Sequence, residues 1–323
     1  MYKYATAIGI DIGRTMIRAE IVRYDGIIID SKTFPYKEHP DRDILLANIL
    51  ESIKLTRADC LKHKVNPLCV GIAAKGFIDY KKGVVLGPDQ GFQNWTNVQL
   101  SKIVSKESGL PVYVDNDANL MALAETTFGT ASGKKDILFM TLRSGIGGAI
   151  FIGGKLFRGK NNSAGEFGQM SIEMDGPESE TGIPGSLEHY AASASMVKHY
   201  KSLIGETDDQ GEESIRTFRA IDVFNLSYQN DQNAKIAVER NAEFIGVGLA
   251  NLISVFSPEI IVLGGGMSLA RDSYLDLIRE HAYKRSIGFC NKEVIIERAS
   301  LGHSGATMGA SYFALTQLDG RSI

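Results

Sequence analysis

The sequence predicts a two-lobed α/β protein, and three observations carry the prediction. Two glycine-turned hairpins, IGIDIGRT (Ile8 to Thr15) and TLRSGIGGA (Thr141 to Ala149), each open a run of strands, about 130 residues apart. Behind each, helix-period stretches alternate with short buried apolar runs, the pattern of an α/β layer structure. At 323 residues and 44% apolar content the chain is too large for one compact core, so two cored lobes flanking a cleft are expected.

The first element is the buried strand ATAIGID (Ala5 to Asp11). After the Gly13 turn, TMIRAEIVRY (Thr15 to Tyr24) alternates apolar and polar residues as a half-exposed strand does; Asp25-Gly26 marks a hairpin, and GIIIDSKTF returns as a third strand. From Asp41 the period changes: Leu45, Ile49 and Ile53 repeat along one face of a helix reaching to about Lys64. CVGIA (Cys69 to Ala73) is a buried strand ending at Gly76, and VYV (Val112 to Val114) another, running into the acidic turn VDNDAN (Val114 to Asn119) and a helix beginning near Ala118. The second half repeats the scheme. ILFMTL (Ile137 to Leu142) turns through Ser144-Gly145 into GAIFI, and Gly153-Gly154 turns again into KLF. Gly205 to Glu213 is charged and reads as an exposed loop, after which Ile245, Leu249, Leu252 and Phe256 stripe a long helix that Pro258 stops. EIIVLGGGMS (Glu259 to Ser268) is a buried strand, a glycine turn and a helix N-cap at Ser268.

Composition excludes several function classes. A net charge of -3 and a pI near 6.1, with scattered Lys and Arg, leave no basic excess for a nucleic-acid backbone. The longest mostly apolar stretch, Phe244 to Phe256, is broken by Asn251 and Ser254 and is shorter than the ~18 residues of a membrane span. With no charged-then-apolar leader in MYKYATAIGID, a soluble cytoplasmic protein is expected. Cys60, Cys69 and Cys290 form neither a disulfide framework nor a CxxC site and read as reduced core thiols. The six histidines make no HxxxH or HxH spacing and read as non-ligands.

Three glycine turns can hold phosphate. In Asp11-Ile12-Gly13-Arg14-Thr15, glycine permits close backbone approach, Thr15 offers a hydroxyl and Asp11 can hold a Mg²⁺-bound water; an ordinary glycine hairpin has the same sequence. Arg143-Ser144-Gly145-Ile146-Gly147-Gly148 offers amides to an anion, or is a plain tight turn. Gly264-Gly265-Gly266 ends a buried strand where α/β proteins bind nucleotides, though a tight αβ turn also fits. Asp117 is either the cap of the following helix or the general base that takes a proton from a sugar hydroxyl, which Asn116 would orient. Glu166 and Gln169 in NNSAGEFGQM, with Glu188 after Gly185-Ser186-Leu187, suit either the hydroxyls of a polyol or exposed loops.

In combination these segments resemble the ROK family of sugar kinases and repressors, within the actin-like ATPase superfamily. The resemblance runs nearly end to end: DIGRT, IAAKG (Ile72 to Gly76), GPDQGFQNWTNVQL (Gly87 to Leu100), VDNDANLMALAE, SGIGGAIFIGGKLFRG, SAGEFGQ, GSLE, GLANLISVFSPEIIVLGGGMS and SLGHSGATMGA. It implies an actin-like, ribonuclease H-like fold, with a small lobe over residues 1–116 completed by a C-terminal helix at about 304–320, and a large lobe over 117–303. It implies hexose bound by Gly76, Asn116, Asp117, Glu166, Gln169 and Glu188, with Asp117 as the catalytic base. The segments Asp11, Gly13, Arg14, Thr15 and Ser144, Gly145, Gly147 match the family's phosphate loops, and Gly264, Gly265, Gly266 its adenosine segment. MgATP and a homodimer follow from the same likeness.

The departures are specific. Arg14 and Met16 replace the second glycine and the lysine of the family's DIGGTK, Lys75 a proline, and Asp89 an asparagine. Gln169 stands at the histidine of the family's zinc loop, and Ser179, Thr181 and Ser186 where thiols belong, so no structural zinc is expected. The expected activity is ATP-dependent phosphorylation of a hexose or N-acetylhexosamine. The alternatives are a non-catalytic sugar-binding sensor, or a transcriptional regulator without its own DNA-binding domain, since family repressors place a winged helix-turn-helix before the first phosphate loop and ten residues precede Asp11 here.

Overall fold

The computed structural model describes residues 4–87, 92–179, 181–206 and 218–320. Asp89 and most of the Gly205 to Glu213 loop lie outside the described residues. The chain divides into two compact units, residues 1–133 with 155–164 and 300–323, and residues 134–154 with 165–299.

The first unit opens with β1 (Thr6–Ile12), β2 (Met16–Arg23) and β3 (Ile28–Pro35), the expected meander. Helix α1 (Arg42–Lys62) follows, capped by the Asp41 carboxylate, which accepts from Asp43 N at 3.0 Å. Next come β4 (Pro67–Ala74), the short pair β5 (Ile78–Asp79) and β6 (Val84–Val85), α2 (Leu100–Ser108), β7 (Val112–Asn116) and α3 (Asp117–Phe128). The main sheet runs β3-β2-β1-β4-β7, antiparallel through the meander and parallel from β1 to β4 to β7. Strand β1 is central, so every one of its residues is buried. Successive side chains of a strand point to opposite faces. Ile8, Ile10 and Ile12 accordingly share a core cluster with Leu45, Ile49 and Ile53 of α1 and Val104 of α2.

The second unit begins with β8 (Ile137–Leu142) and β9 (Ile146–Ile152); β10 (Lys155–Phe157) is counted with the first. A 3₁₀ turn at Phe167–Gln169 leads to α4 (Leu187–Ala191), α5 (Ser193–Leu203), α6 (Ala220–Tyr228) and α7 (Gln232–Phe256). Ser257 then takes a left-handed conformation (φ 43°) ahead of Pro258, ending α7 where the sequence predicts. Then come β11 (Ile260–Gly264), α8 (Asp272–Arg285), α9 (Gly288–Asn291) and β12 (Ile295–Arg298). β8 pairs antiparallel with β9 and parallel with β11, which pairs parallel with β12. Helix α7 is pinned to its neighbours by buried Asn241, which accepts from Tyr274 Oη at 2.5 Å and donates to the Ala191 carbonyl at 3.0 Å.

Helix α10 (Gly305–Leu318) returns the chain to the first unit. It lies on the face of the sheet opposite α1, against β1 and β4, and touches α3. A Cβ on Gly9 of β1 would strike the Thr307 carbonyl oxygen, one on Gly71 of β4 the Ala310 carbonyl oxygen, and one on Gly309 the Leu120 carbonyl oxygen of α3. Backbone therefore lies against backbone at all three places.

Three details differ from the sequence expectation. The compact units place α3 and residues 155–164 with the first unit, whereas the expected lobe boundary fell at residue 116. Ser268 is not a helix N-cap: its hydroxyl donates back to the Gly265 carbonyl at 2.7 Å inside a 3₁₀ turn at Gly266–Leu269, and α8 begins after Arg271. Cys60 and Cys69 are buried, but Cys290 on α9 is only partly so and is not a core thiol.

Candidate active site

In the first unit, strand register gathers the predicted residues. β1 aligns Asp11 with Ala73 of β4, and β4 aligns Ala73 with Asp115 of β7. The turns leaving these three parallel strands at their carboxyl ends therefore lie side by side, which is where α/β sheets bind ligands. Asp11 is buried at the end of β1. The Gly13 amide donates to the Met16 carbonyl at 3.0 Å, the Tyr36 hydroxyl donates to the Gly13 carbonyl, and the Thr15 carbonyl accepts from Tyr36 N at 2.9 Å, so the loop is tied down at both ends. Arg14 and Met16 are exposed.

At the end of β7 the cap of α3 is Asn116, not Asp117. Its Oδ1 accepts from the amides of Ala118 (2.9 Å) and Asn119 (3.2 Å), and its Nδ2 donates to the Gly76 carbonyl at 3.2 Å. Gly76 has φ 89°, a conformation that favours glycine. Asp117 is the first residue of α3, half-buried, with Oδ1 accepting from Ala118 N at 2.9 Å. Behind this turn lies a buried ion pair that the sequence reading missed. Asp115 Oδ2 meets Arg158 at 2.6 Å while its Oδ1 accepts from Asn116 N (2.8 Å) and Asn119 Nδ2 (3.4 Å). The Arg158 guanidinium lies 3.8 Å from the centre of the Tyr80 ring. Arg158 belongs to KLFRG, but nothing in its spacing marks it as the partner of a residue 43 positions earlier.

In the second unit, β8 and β11 are adjacent and parallel, with Gly264 opposite Thr141, so the Ser144 turn and the triple-glycine turn adjoin. Gly265 has φ 88°, and a Cβ there would fall 2.5 Å from the Leu142 carbonyl oxygen. Gly266 is exposed and has open space around its α-carbon, while Gly264 is the buried end of β11. The Ser144 turn offers fewer amides than the sequence suggests. Arg143 N donates to the Gly145 carbonyl (3.1 Å), Ile146 N to Glu188 Oε2 (2.6 Å) and Gly147 N to Thr141 Oγ1 (2.9 Å).

The GEFG segment locks onto the same hairpin. A Cβ on Gly148 would meet the Phe167 ring and the Gly165 carbonyl, and one on Gly168 the Ile146 carbonyl. Glu166 is exposed beside this contact, and Gln169 and Glu188 are half-buried. Gln169 Nε2 donates to Glu188 Oε1 at 3.4 Å, and Gln169 Oε1 accepts from the Thr181 hydroxyl at 2.6 Å. Ser186, buried, caps α4 by accepting from His189 N at 3.3 Å. Among the described residues no group of three or more His, Cys, Asp or Glu side chains is placed to hold a metal ion.

A sequence profile of the ROK family matches residues 7–317. The chain belongs to the ROK family. This ROK protein is 32% identical over 318 residues, 95% of its length and 96% of the relative's, to a glucokinase of Streptomyces coelicolor. It is also 28% identical over 319 residues to a putative xylose repressor of a Caldicellulosiruptor species, covering 96% of its own length and 78% of that protein. Among solved structures it resembles a ROK glucokinase from Streptomyces griseus in complex with glucose and AMPPNP, at 30% identity and TM-score 0.85 over 97% of this chain and 100% of that one. The mixed α/β architecture is the actin-like ATPase fold of ROK sugar kinases. No helix among the described residues is long and apolar enough to cross a membrane.

Proposed function

We propose that this ROK protein phosphorylates a hexose or an N-acetylhexosamine from ATP, with Asp117 as the general base. The observation that carries the reading is that Asp117 opens α3 directly after the carboxyl end of β7, beside the ends of the parallel strands β4 and β1. Kinship over almost the whole chain with a glucokinase supports it. Asp117 takes the proton from the attacking hydroxyl as its oxygen closes on the terminal phosphorus, and Asn116 and Gly76 hold that hydroxyl in register. Glu166, Gln169 and Glu188 hold other hydroxyls of the ring. The turns at Asp11–Thr15 and Ser144–Gly147 receive the phosphates, and Gly264–Gly266 the adenosine. Mg²⁺ carried with the nucleotide neutralises phosphate charge, and the hard oxygens of the Asp11 carboxylate suit a water of its shell. A cytoplasmic homodimer belongs to the same reading.

The test is ADP release measured over a panel of hexoses and N-acetylhexosamines. Sugar-dependent turnover is expected, and Asp117→Asn should lower kcat by about 10²–10⁴ with sugar binding retained, the range of one general base. Full activity in that variant removes the base assignment.

The second reading, a sugar sensor without catalysis, is favoured by the similarity to a xylose repressor and by Arg14 and Met16 in the first loop. Sugar binding with no ADP release from any panel member would select it.

A further inference from the structure

Glu188 ends a chain of hydrogen bonds whose direction chemistry dictates. An ionised carboxylate only accepts, so Gln169 must turn its NH₂ toward Glu188 Oε1 (3.4 Å) and its oxygen toward Thr181. That makes the Thr181 hydroxyl a donor, at 2.6 Å to Gln169 Oε1. Its proton is then committed, so in the 2.8 Å contact with Ser179 it is Ser179 that donates. Ser179 Oγ in turn accepts from Ile183 N at 3.2 Å, which fixes the far end of the chain in a backbone amide. At the near end, the other oxygen of Glu188 accepts from Ile146 N at 2.6 Å in the turn after β8.

We propose that Thr181 and Ser179 are positioning residues for sugar recognition, acting through Gln169 to orient Glu188. The inference rests on the reading of Glu188 as a sugar ligand and deepens it. Two of the roughly four lone-pair directions of the Glu188 carboxylate are used, and the rest accept from substrate hydroxyls. Gln169 keeps one amide hydrogen beyond the one given to Glu188, and presents it as a donor. The pair therefore offers an acceptor and a donor together, the complement of a neutral hydroxyl, which both donates and accepts. The recognised position of the sugar is an unmodified hydroxyl, not a carboxylate or a phosphate, whose charge Glu188 would repel. The loop that carries Thr181 is tied back to the chain entering α4, with Ile172 N donating to the Gly185 carbonyl at 2.8 Å and the Ser171 hydroxyl to the Pro184 carbonyl at 2.9 Å. Orientation set at Thr181 is thus transmitted through a braced loop.

The experiment compares wild type, Thr181→Val and Thr181→Ser, each alone and with Glu188→Gln, using D-glucose, D-mannose and N-acetyl-D-glucosamine as probes. KM and kcat are read by ADP release, and Kd by calorimetry. Thr181→Val keeps the shape but can neither donate nor accept, and should raise KM and Kd about tenfold, the value of one hydrogen bond feeding a charged group. kcat should stay within about twofold, because uniform binding is what is lost. Thr181→Ser should restore wild-type values, and in the Glu188→Gln background Thr181→Val should add nothing further. An unchanged KM in Thr181→Val, or full additivity with Glu188→Gln, overturns the relay while leaving the kinase reading intact. A lowered melting midpoint with KM unaffected also overturns it, since that is a structural role alone. If wild type binds a probe without turning it over, Kd alone decides the relay by the same criteria and the kinase reading fails. If it binds none, the sugar reading and the relay fall together.

Discussion

At the scale of the residue, the glycines of this chain divide by what they touch. Gly265 combines positive φ with a carbonyl oxygen in the place of its absent Cβ, whereas Gly266 beside it has open space. Gly265→Ala should therefore destabilise the protein by about 1–3 kcal/mol, the cost of one strained position, and Gly266→Ala by well under about 1 kcal/mol; chemical denaturation of both variants checks the contrast. The GGG run made that turn legible in the sequence, but not which glycine was indispensable, because the obstacle is a carbonyl on another strand. Thiols show the same dependence on surroundings. Burial pushes the Cys60 thiol up to about 11 and Cys69 to about 12, so both are neutral at pH 8, while Cys290 is partly open to solvent. A thiolate-specific reagent at pH 8 should modify Cys290 in the native protein, and all three cysteines only after denaturation.

At the scale of the element, the acidic turn between β7 and α3 shows how far sequence reasoning reaches. A strand, a polar turn and a helix were readable from VYVDNDAN, and so was the placement of a carboxylate at the helix start. Which of three neighbouring polar residues would cap was not, because Asp115, Asn116 and Asp117 all have capping side chains. Register decides it: Asp115 is the last buried residue of β7 and is held by Arg158, so Asn116 is the first side chain able to turn toward the helix amides. Asn116→Ala removes the cap and the bond to Gly76, and should cost about 1–2 kcal/mol of stability. It should also raise KM for the sugar, whereas Asn116→Asp, which can still cap, should recover most of the stability without the donor to Gly76. Thermal melts and steady-state kinetics on the two variants separate capping from substrate positioning.

At the scale of the whole molecule, lobe-sized duplication was legible because both halves open on a glycine-turned meander. The return of the C-terminal helix to the first unit was expected from family likeness and not from any local signal, since glycines at 9, 71 and 309 matter only once they are brought together. Two buried carboxylates fasten that return. Glu20 accepts from the hydroxyls of Ser31 and Ser304, both at 2.8 Å, and from Thr307 Oγ1 at 2.5 Å. Glu125 accepts from Thr130 N at 2.9 Å, Leu301 N at 2.8 Å and Ser300 Oγ at 3.2 Å. Removing either leaves three donors without their acceptor, so Glu20→Ala or Glu125→Ala should lower stability by about 1–3 kcal/mol by chemical denaturation. The seat of α10 on β1 and β4 also orders events during translation. Most of the first unit leaves the ribosome early, yet the groove lined by Gly9 and Gly71 stays unfilled until residues 305–318 emerge. A nascent chain of this protein thus carries an open sheet face through nearly its entire synthesis, a surface other chains can meet until helix α10 arrives to cover it.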